Sequence, residues 1–167
     1  MLDLLTPCLV VNTIYDINPE LLKRRGIRGI IFDLDNTIVA WNSPDLEPDM
    51  RLWLQRLNGH DLKVCLLSNN GNNRVKAIAA QCGVPFVARA LKPSRTGFRQ
   101  AIDRLGLTPA EVAVVGDQLF TDMLGGNRLK LFTIWVQPLA AQEFIGTKIT
   151  RQLEKLAIRL LRASGRL

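Results

Sequence analysis

The sequence predicts an α/β fold: a doubly wound parallel sheet of about five strands with helices on both faces, formed by residues 1–167 as a single domain. The prediction rests first on short apolar runs of strand length at 27–32, 62–67, 112–115 and 131–136, with a weaker one at 85–89. It rests second on the helical stretches between them. Residues 47–57 carry Pro48 and the acids Glu47 and Asp49 in a first turn, put Met50, Trp53, Leu54 and Leu57 on one face, and end before Gly59. Residues 73–82 and 94–105 supply two more helices, the second halted by Gly106. Strands that alternate with helices pair in parallel through right-handed crossovers, which points away from a sandwich or a bundle.

Composition narrows the class. The chain is 47% hydrophobic and 22% charged, without a repeat or a low-complexity tract, so it can bury a core. Cys8, Cys65 and Cys82 form no CxxC pair and two of them lie in apolar segments, which fits reduced thiols in a cytoplasmic protein and no zinc cluster. His60 is the one histidine, so chemistry that needs two is excluded. Residues 1–12 are apolar but interrupted by Asp3 and Pro7, and they fall short of the roughly 20 apolar residues that cross a bilayer. They read as neither signal peptide nor span; packing on the core and contact with a membrane surface both stay open. Pro19 and Glu20 are placed to open a helix within 15–25. The net charge is +7, of which +5 lies between Lys148 and Leu167, where six basic residues meet only Glu154. A nearly neutral body with a basic tail argues against a whole-surface nucleic-acid binder and for local attraction to something anionic.

The chemistry concentrates at strand ends. Asp33-Leu34-Asp35-Asn36-Thr37 follows the 27–32 run directly. Two carboxylates one residue apart behind a buried strand repel unless a cation or a shared proton relieves them, and a divalent metal is the natural relief. The pair suits a carboxylate nucleophile, Asp33, beside a carboxyl group, Asp35, that gives a proton to a leaving oxygen and later takes one from water. That is phosphoryl transfer through an aspartyl-phosphate. Ordinary turn chemistry explains this stretch equally well on its own. Ser68, Lys92 and Asp117 stand at or just after other strand ends, and ligands of such sheets bind beyond the strands' carboxyl ends. Ser68 as a helix cap, Lys92 as a solvated lysine and Asp117 and Asp122 as turn residues remain the competing reading of each alone. Taken jointly and in order, they favour one site.

The four elements resemble the four signatures of the haloacid dehalogenase superfamily, in that family's order. These are Asp33-Leu34-Asp35-Asn36-Thr37, then Leu66-Leu67-Ser68-Asn69-Asn70, then Leu91-Lys92-Pro93, and lastly the run from Gly116-Asp117-Gln118 to Thr121-Asp122. Gly116-Asp117-Gln118, Gly125-Gly126-Asn127, Trp41 and the opening from Pro7 to Tyr15-Asp16-Ile17 resemble its subfamily IIIA, YqeG-like branch, which includes phosphatidylglycerophosphate phosphatases. The resemblance covers about 27–136 and implies a Rossmann-like sheet. It implies that Asp33 attacks phosphorus and that Asp35 acts as general acid and then general base. It implies Mg²⁺ held by the Asp33 and Asp117 carboxylates and the Asp35 main-chain carbonyl. Ser68 and Asn69 would hold phosphoryl oxygens, and Lys92 would neutralise their charge. Thr37 and Asp122 would support this group, Asp122 by steering Lys92 or a metal-bound water. An acid at position 35 implies hydrolysis of a phosphate ester rather than dehalogenation.

Many relatives in that superfamily insert a cap domain, and here there is no room for one. Glu47 opens a helix within ten residues of Thr37, and 68–92 hold one helix and one weak strand. An open site favours a phosphate presented on something large: a lipid, a protein or a nucleic acid. Ile149, Leu153, Leu156, Ala157 and Leu160 follow helical spacing while Arg151, Lys155, Arg159 and Arg162 take other positions. A basic amphipathic helix at about 147–163 is expected, lying on anionic lipid or packing its leucines on the sheet. The expected function is a Mg²⁺-dependent phosphomonoester hydrolase, with phosphatidylglycerophosphate as favoured substrate and a place in the cytoplasm or on the inner face of the membrane. The alternatives are a soluble phosphatase acting on a sugar phosphate, nucleotide or nucleic-acid end, and a non-catalytic module that binds RNA or a ribosome.

Overall fold

The sheet divides at β2 (Gly29–Asp33), a strand buried at every position. The computed structural model describes residues 2–40, 43–139 and 148–167. With β2, the strands β1 (Leu9–Val11), β3 (Lys63–Leu67), β4 (Phe86–Val87), β5 (Val112–Gly116) and β6 (Phe132–Val136) form one parallel sheet of order β1-β6-β5-β2-β3-β4. The chain runs from β2 out through β3 to β4, then returns to β5 on the other side. Asp33 therefore ends the strand at which the winding reverses, where such sheets open a crevice at their carboxyl edge.

Register assigns the two faces. Ile31 lies opposite Cys65 and Val114, and Phe32 opposite Leu66 and Val115. Because successive side chains alternate, Ile30, Phe32, Val64, Leu66 and Val115 share one core. It is closed by Leu22 of α1 (Pro19–Arg24), Trp53 and Leu57 of α2 (Pro48–Gly59) and Val75 and Ile78 of α3 (Asn72–Cys82). Ile31, Cys65, Leu67 and Val114 face the other way, onto Phe98, Ala101, Ile102 and Leu105 of α4 (Arg95–Leu105). The short α5 (Leu124–Asn127) packs beside α4, and Ala157 and Leu161 of α6 (Lys148–Ala163) close on Leu119, Met123 and Trp135. Helices cover both faces, as expected.

Local chemistry sets the ends. Pro19 opens α1 behind Asn18, whose side chain accepts the Glu20 amide at 2.9 Å. Helices α3 and α4 stop at Gly83 and Gly106, both in the left-handed region that glycine adopts without strain.

The structure adds a sixth strand to the five expected. Residues 9–11 pair in parallel with β6, Leu9 opposite Ile134 and Val11 opposite Val136, so this part of the apolar beginning belongs to the sheet. The helix expected within 15–25 is confined to Pro19–Arg24, with a separate turn at Ile14–Asp16, because Asn18 serves as its cap. Among the described residues no named strand or helix stands between β2 and α2, and only α3 and the two-residue β4 stand between β3 and α4. Trp41 lies outside the described residues, as does residue 147 at the start of the expected terminal helix. No helix among the described residues is long and apolar enough to cross a membrane.

Candidate active site

Eight polar or charged side chains are buried among the described residues, and seven of them gather beyond the carboxyl edge of the sheet: Asp33, Asn36, Thr37, Ser68, Lys92, Asp117 and Asp122. Burying charge costs several kcal/mol per ion unless it is paired. Such a concentration is a poor way to stabilise a fold and a usual way to build a reactive site.

Lys92 is at the centre. Its ammonium bonds Asp33 Oδ1 and lies 2.7 Å from Asp122 Oδ1. The residue is fixed from behind by Asn69, whose carboxamide accepts the Lys92 amide at 2.7 Å and donates to the Lys92 carbonyl at 3.2 Å. Asp122 comes from a π-helical turn, Leu119–Met123, in which one extra residue per turn swings the carboxylate back over β5. Its Oδ2 accepts the Gln118 amide at 3.3 Å. Gly116 makes this possible: a Cβ there would stand 2.4 Å from Asp122 Cγ. Asp117 is held at both ends, its Oδ1 accepting the Thr37 hydroxyl at 3.4 Å and its carbonyl accepting Trp135 Nε1 at 2.8 Å.

Asp35 sits at the rim, partly exposed. Ser68 Oγ and Asn70 Nδ2 each donate to its Oδ2 at 3.3 Å, Arg74 Nε donates to its Oδ1 at 3.0 Å, and Arg74 Nη2 makes an ion-pair contact with that oxygen at 2.9 Å. Asp33, Asp35, Ser68, Asn69 and Lys92 line one open depression together with Asn70, Gly71, Gln118 and Thr121. All five residues expected to touch substrate thus share one pocket, and Asp117, Asp122 and Thr37 adjoin it. Asn70, Arg74, Gln118 and Trp135 were not expected. Asn70 and Gln118 alone had a signal, as members of the Ser68-Asn69-Asn70 and Gly116-Asp117-Gln118 runs.

Electrostatics follows from burial. Burial pushes the Asp33 carboxyl up to about 7, against the pull of Lys92 and with the help of Asp122. Burial also disfavours the Lys92 ammonium, but Asp122 and Asp33 outweigh it and raise that group above the ordinary lysine value. Lys92 is therefore a fixed positive charge at neutral pH. Oxygens of Asp33, Asp117 and Asp122 lie within 4.8 Å of one another. An all-oxygen, carboxylate donor set of this size suits a hard divalent cation such as Mg²⁺ better than zinc or copper, which favour nitrogen and sulfur.

A sheet that winds both ways from a strand ending in Asp33 thus carries, beyond its carboxyl edge, a lysine that bridges two aspartates. Residues 40–130 match the model of the haloacid dehalogenase-like hydrolase family. The chain is 40% identical over 155 residues to the Bacillus subtilis (strain 168) protein named "Probable phosphatase YqeG", covering 93% of this chain and 90% of that one. It is 31% identical over 165 residues to "Phosphatidylglycerophosphate phosphatase 1, chloroplastic/mitochondrial" of Arabidopsis thaliana, covering 93% of this chain but 47% of that protein. The chain thus spans about half the length of the plant relative. Among solved structures, a Legionella pneumophila hydrolase of the same superfamily, subfamily III A, superimposes with a TM-score of 0.55 at 16% identity over 88% of this chain and 91% of that one. The chain belongs to the haloacid dehalogenase-like hydrolase family and stands among its phosphatases.

Proposed function

We propose that the protein is a Mg²⁺-dependent phosphomonoester hydrolase that works through an aspartyl-phosphate on Asp33, with phosphatidylglycerophosphate as its favoured substrate. The observation that carries the reading is the Asp33–Lys92–Asp122 bridge beside Asp117, at the carboxyl end of the strand where the winding reverses.

In the first half-reaction an Asp33 carboxylate oxygen forms the new bond to phosphorus while the ester P–O bond breaks. The electron pair leaves with the ester oxygen, which takes the proton of Asp35. In the second half, water attacks phosphorus, Asp35 takes its proton, and inorganic phosphate leaves as Asp33 is restored. Lys92 holds its charge against the phosphoryl oxygens throughout, the electrostatic contribution on which such transfers chiefly depend. Ser68 and Asn70 donate to those oxygens once substrate takes the place of the Asp35 contact. Asp33 and Asp117 would hold Mg²⁺ with the Asp35 carbonyl, while Asp122 stays with Lys92. When bound, the ion supplies charge neutralisation on the phosphoryl oxygens. Asn69 serves in this scheme by fixing Lys92.

Two features support a lipid phosphate. The Arabidopsis relative and a mitochondrial phosphatidylglycerophosphatase of Saccharomyces cerevisiae (strain ATCC 204508 / S288c), 28% identical over 150 residues, are named for that substrate. The second is α6, whose apolar positions divide into two rows: Ala157 and Leu161 pack inward, while Leu153, Leu156 and Leu160 are 52%, 53% and 47% exposed. Beside that outer row stand Lys155, Arg159 and Arg162, all exposed. An apolar strip bordered by cations suits the anionic interface of a bilayer, to which each basic residue adds on the order of 1 kcal/mol. A peripheral location follows from this reading.

The test is phosphate release, with Mg²⁺ present, from phosphatidylglycerophosphate in vesicles, beside soluble sugar phosphates, nucleotides and nucleic-acid ends. The reading expects release from the lipid by the parent protein and loss of it in Asp33→Asn. Turnover confined to soluble esters would reject the lipid; no turnover on any of them with tight RNA binding would reject catalysis.

A further inference from the structure

Arg74 occupies the first turn of α3, immediately after the Ser68–Gly71 turn, and all three of its guanidinium nitrogens are engaged. Nε donates to Asp35 Oδ1 at 3.0 Å, Nη2 makes an ion-pair contact with the same oxygen at 2.9 Å and donates to the Ala40 carbonyl at 3.2 Å, and Nη1 donates to the Ser43 carbonyl at 2.7 Å. The two side chains are 24% and 18% exposed, so the pair is largely withdrawn from water. Its value is geometric. A planar fork with donors in fixed directions restricts its partners as a flexible ammonium cannot.

The contacts divide the Asp35 carboxyl group into two unlike oxygens. Both guanidinium contacts end on Oδ1. Oδ2 is left to the two long bonds from Ser68 Oγ and Asn70 Nδ2, residues that line the open depression together with Asp35. The same fork binds the main-chain carbonyls of Ala40 and Ser43, so the guanidinium cannot follow a turn of Asp35 without giving up these two further anchors.

We infer that Arg74 is a positioning residue for the proton-transfer step: by clamping Oδ1 it presents Asp35 Oδ2, and only Oδ2, to the leaving oxygen. The inference rests on the reading of Asp35 as proton donor. When the ester P–O bond breaks, the electron pair on the departing oxygen is met by the proton on Oδ2, and that oxygen later receives the proton of the attacking water. Arg74 touches neither substrate nor phosphorus in this scheme. It acts through the orientation of Asp35.

Help to the leaving oxygen matters in proportion to how poor the leaving group is, whereas the hydrolysis of the aspartyl-phosphate is common to every ester. The comparison is therefore made in kcat/KM, which reports the steps up to departure of the leaving group, between p-nitrophenyl phosphate, whose nitrophenolate departs unaided, and whichever alkyl phosphate the parent hydrolyses fastest among glycerol 3-phosphate, a hexose 6-phosphate and phosphatidylglycerophosphate. Asp35→Asn, Arg74→Met and Arg74→Lys are measured alongside the parent. General acid catalysis contributes about 10²–10⁴-fold, so Asp35→Asn should lose that much on the alkyl phosphate and far less on the nitrophenyl ester. Arg74→Met should lose about 10–100-fold on the alkyl ester and under about 3-fold on the other, as expected for a misaligned acid. Arg74→Lys keeps the charge and the fold yet cannot span the three acceptors, so it should show the same selectivity even if the Met variant does not fold.

In the Asp35→Asn background, Arg74→Lys should add no further loss, because the two act as one unit. An equal loss on both esters, or none, in the Arg74 variants beside a selective loss in Asp35→Asn would overturn the inference and leave the proton donor standing. A non-selective loss in Asp35→Asn itself would remove the proton donor and the inference together.

Discussion

Asp122 Oδ1 lies 2.7 Å from Lys92 Nζ, and both side chains are almost fully buried. The pair aims the lysine: with a second proton on Asp33, the orientation of the ammonium is fixed and its third proton is left for the place where phosphoryl charge would develop. Asp122→Asn keeps the shape and weakens a charge-assisted bond of about 1.5–3 kcal/mol. With Mg²⁺ present the variant should melt roughly 3–12 °C lower and turn over more slowly. Equal melting and equal turnover would show that Asp122 has no such part.

Gly116 reports on the same pair sterically. A Cβ there meets Asp122 at 2.4 Å, whereas a Cβ at Gly59 meets nothing within 4 Å. Gly116→Ala should cost about 1–3 kcal/mol and push Asp122 off Lys92, lowering turnover on the order of 10²-fold. Gly59→Ala, near the end of α2, should leave activity unchanged and stability equal or slightly higher. Thermal melts with a phosphate-release assay decide between them.

Asp33 carries the pH dependence. Burial raises its carboxyl to about 7, from an ordinary value of 3.8. Its folded value exceeds its unfolded one, so its contribution to stability is fully present below about 4 and is lost as the pH rises toward 7. Metal-free protein should accordingly lose stability across that window. A divalent cation needs the ionised carboxylate, so Mg²⁺ should bind more tightly as pH rises to about 7 and then level off, releasing protons on binding at pH 6 and almost none at pH 8.5. Titration calorimetry in buffers of different ionisation heat reads the proton count directly; equal release at both pH values would contradict the assignment.

The two apolar rows of α6 predict opposite phenotypes. Leu161 is fully buried against Trp135 and Leu119, so Leu161→Ala should cost about 2–5 kcal/mol. Replacing Leu153, Leu156 and Leu160 together by Ser should leave melting nearly unchanged, since each is about half exposed, and should abolish sedimentation with anionic vesicles. Vesicle binding that survives the triple change would place the membrane contact elsewhere.

Much of this arrangement was legible in the sequence because strand ends and chemistry coincide in it. The apolar runs of β2, β3 and β5 stop directly at Asp33, Ser68 and Asp117, so a parallel sheet alone brings those groups to one edge. What was not legible depends on tertiary contact. Three residues, Leu9–Val11, become a strand only because β6 offers an edge, and no local pattern separates them from apolar coil. Arg74 reads as an ordinary helix surface residue until its partner, 39 positions earlier, is placed beside it. Periodicity gave α6 an apolar side but not its division, since Ala157 and Leu156 differ only in which neighbour they meet. Trp135 likewise looked like core, and its indole proved to hold the Asp117 carbonyl.

The central claim is that Asp33 becomes phosphorylated. Protein quenched in acid during turnover and reduced with borohydride should carry homoserine at position 33, located by peptide mass spectrometry, because borohydride reduces an acyl phosphate and spares a free carboxylate. Residue 33 recovered unmodified from enzyme that is turning over, or the same modification at another aspartate, would contradict the account.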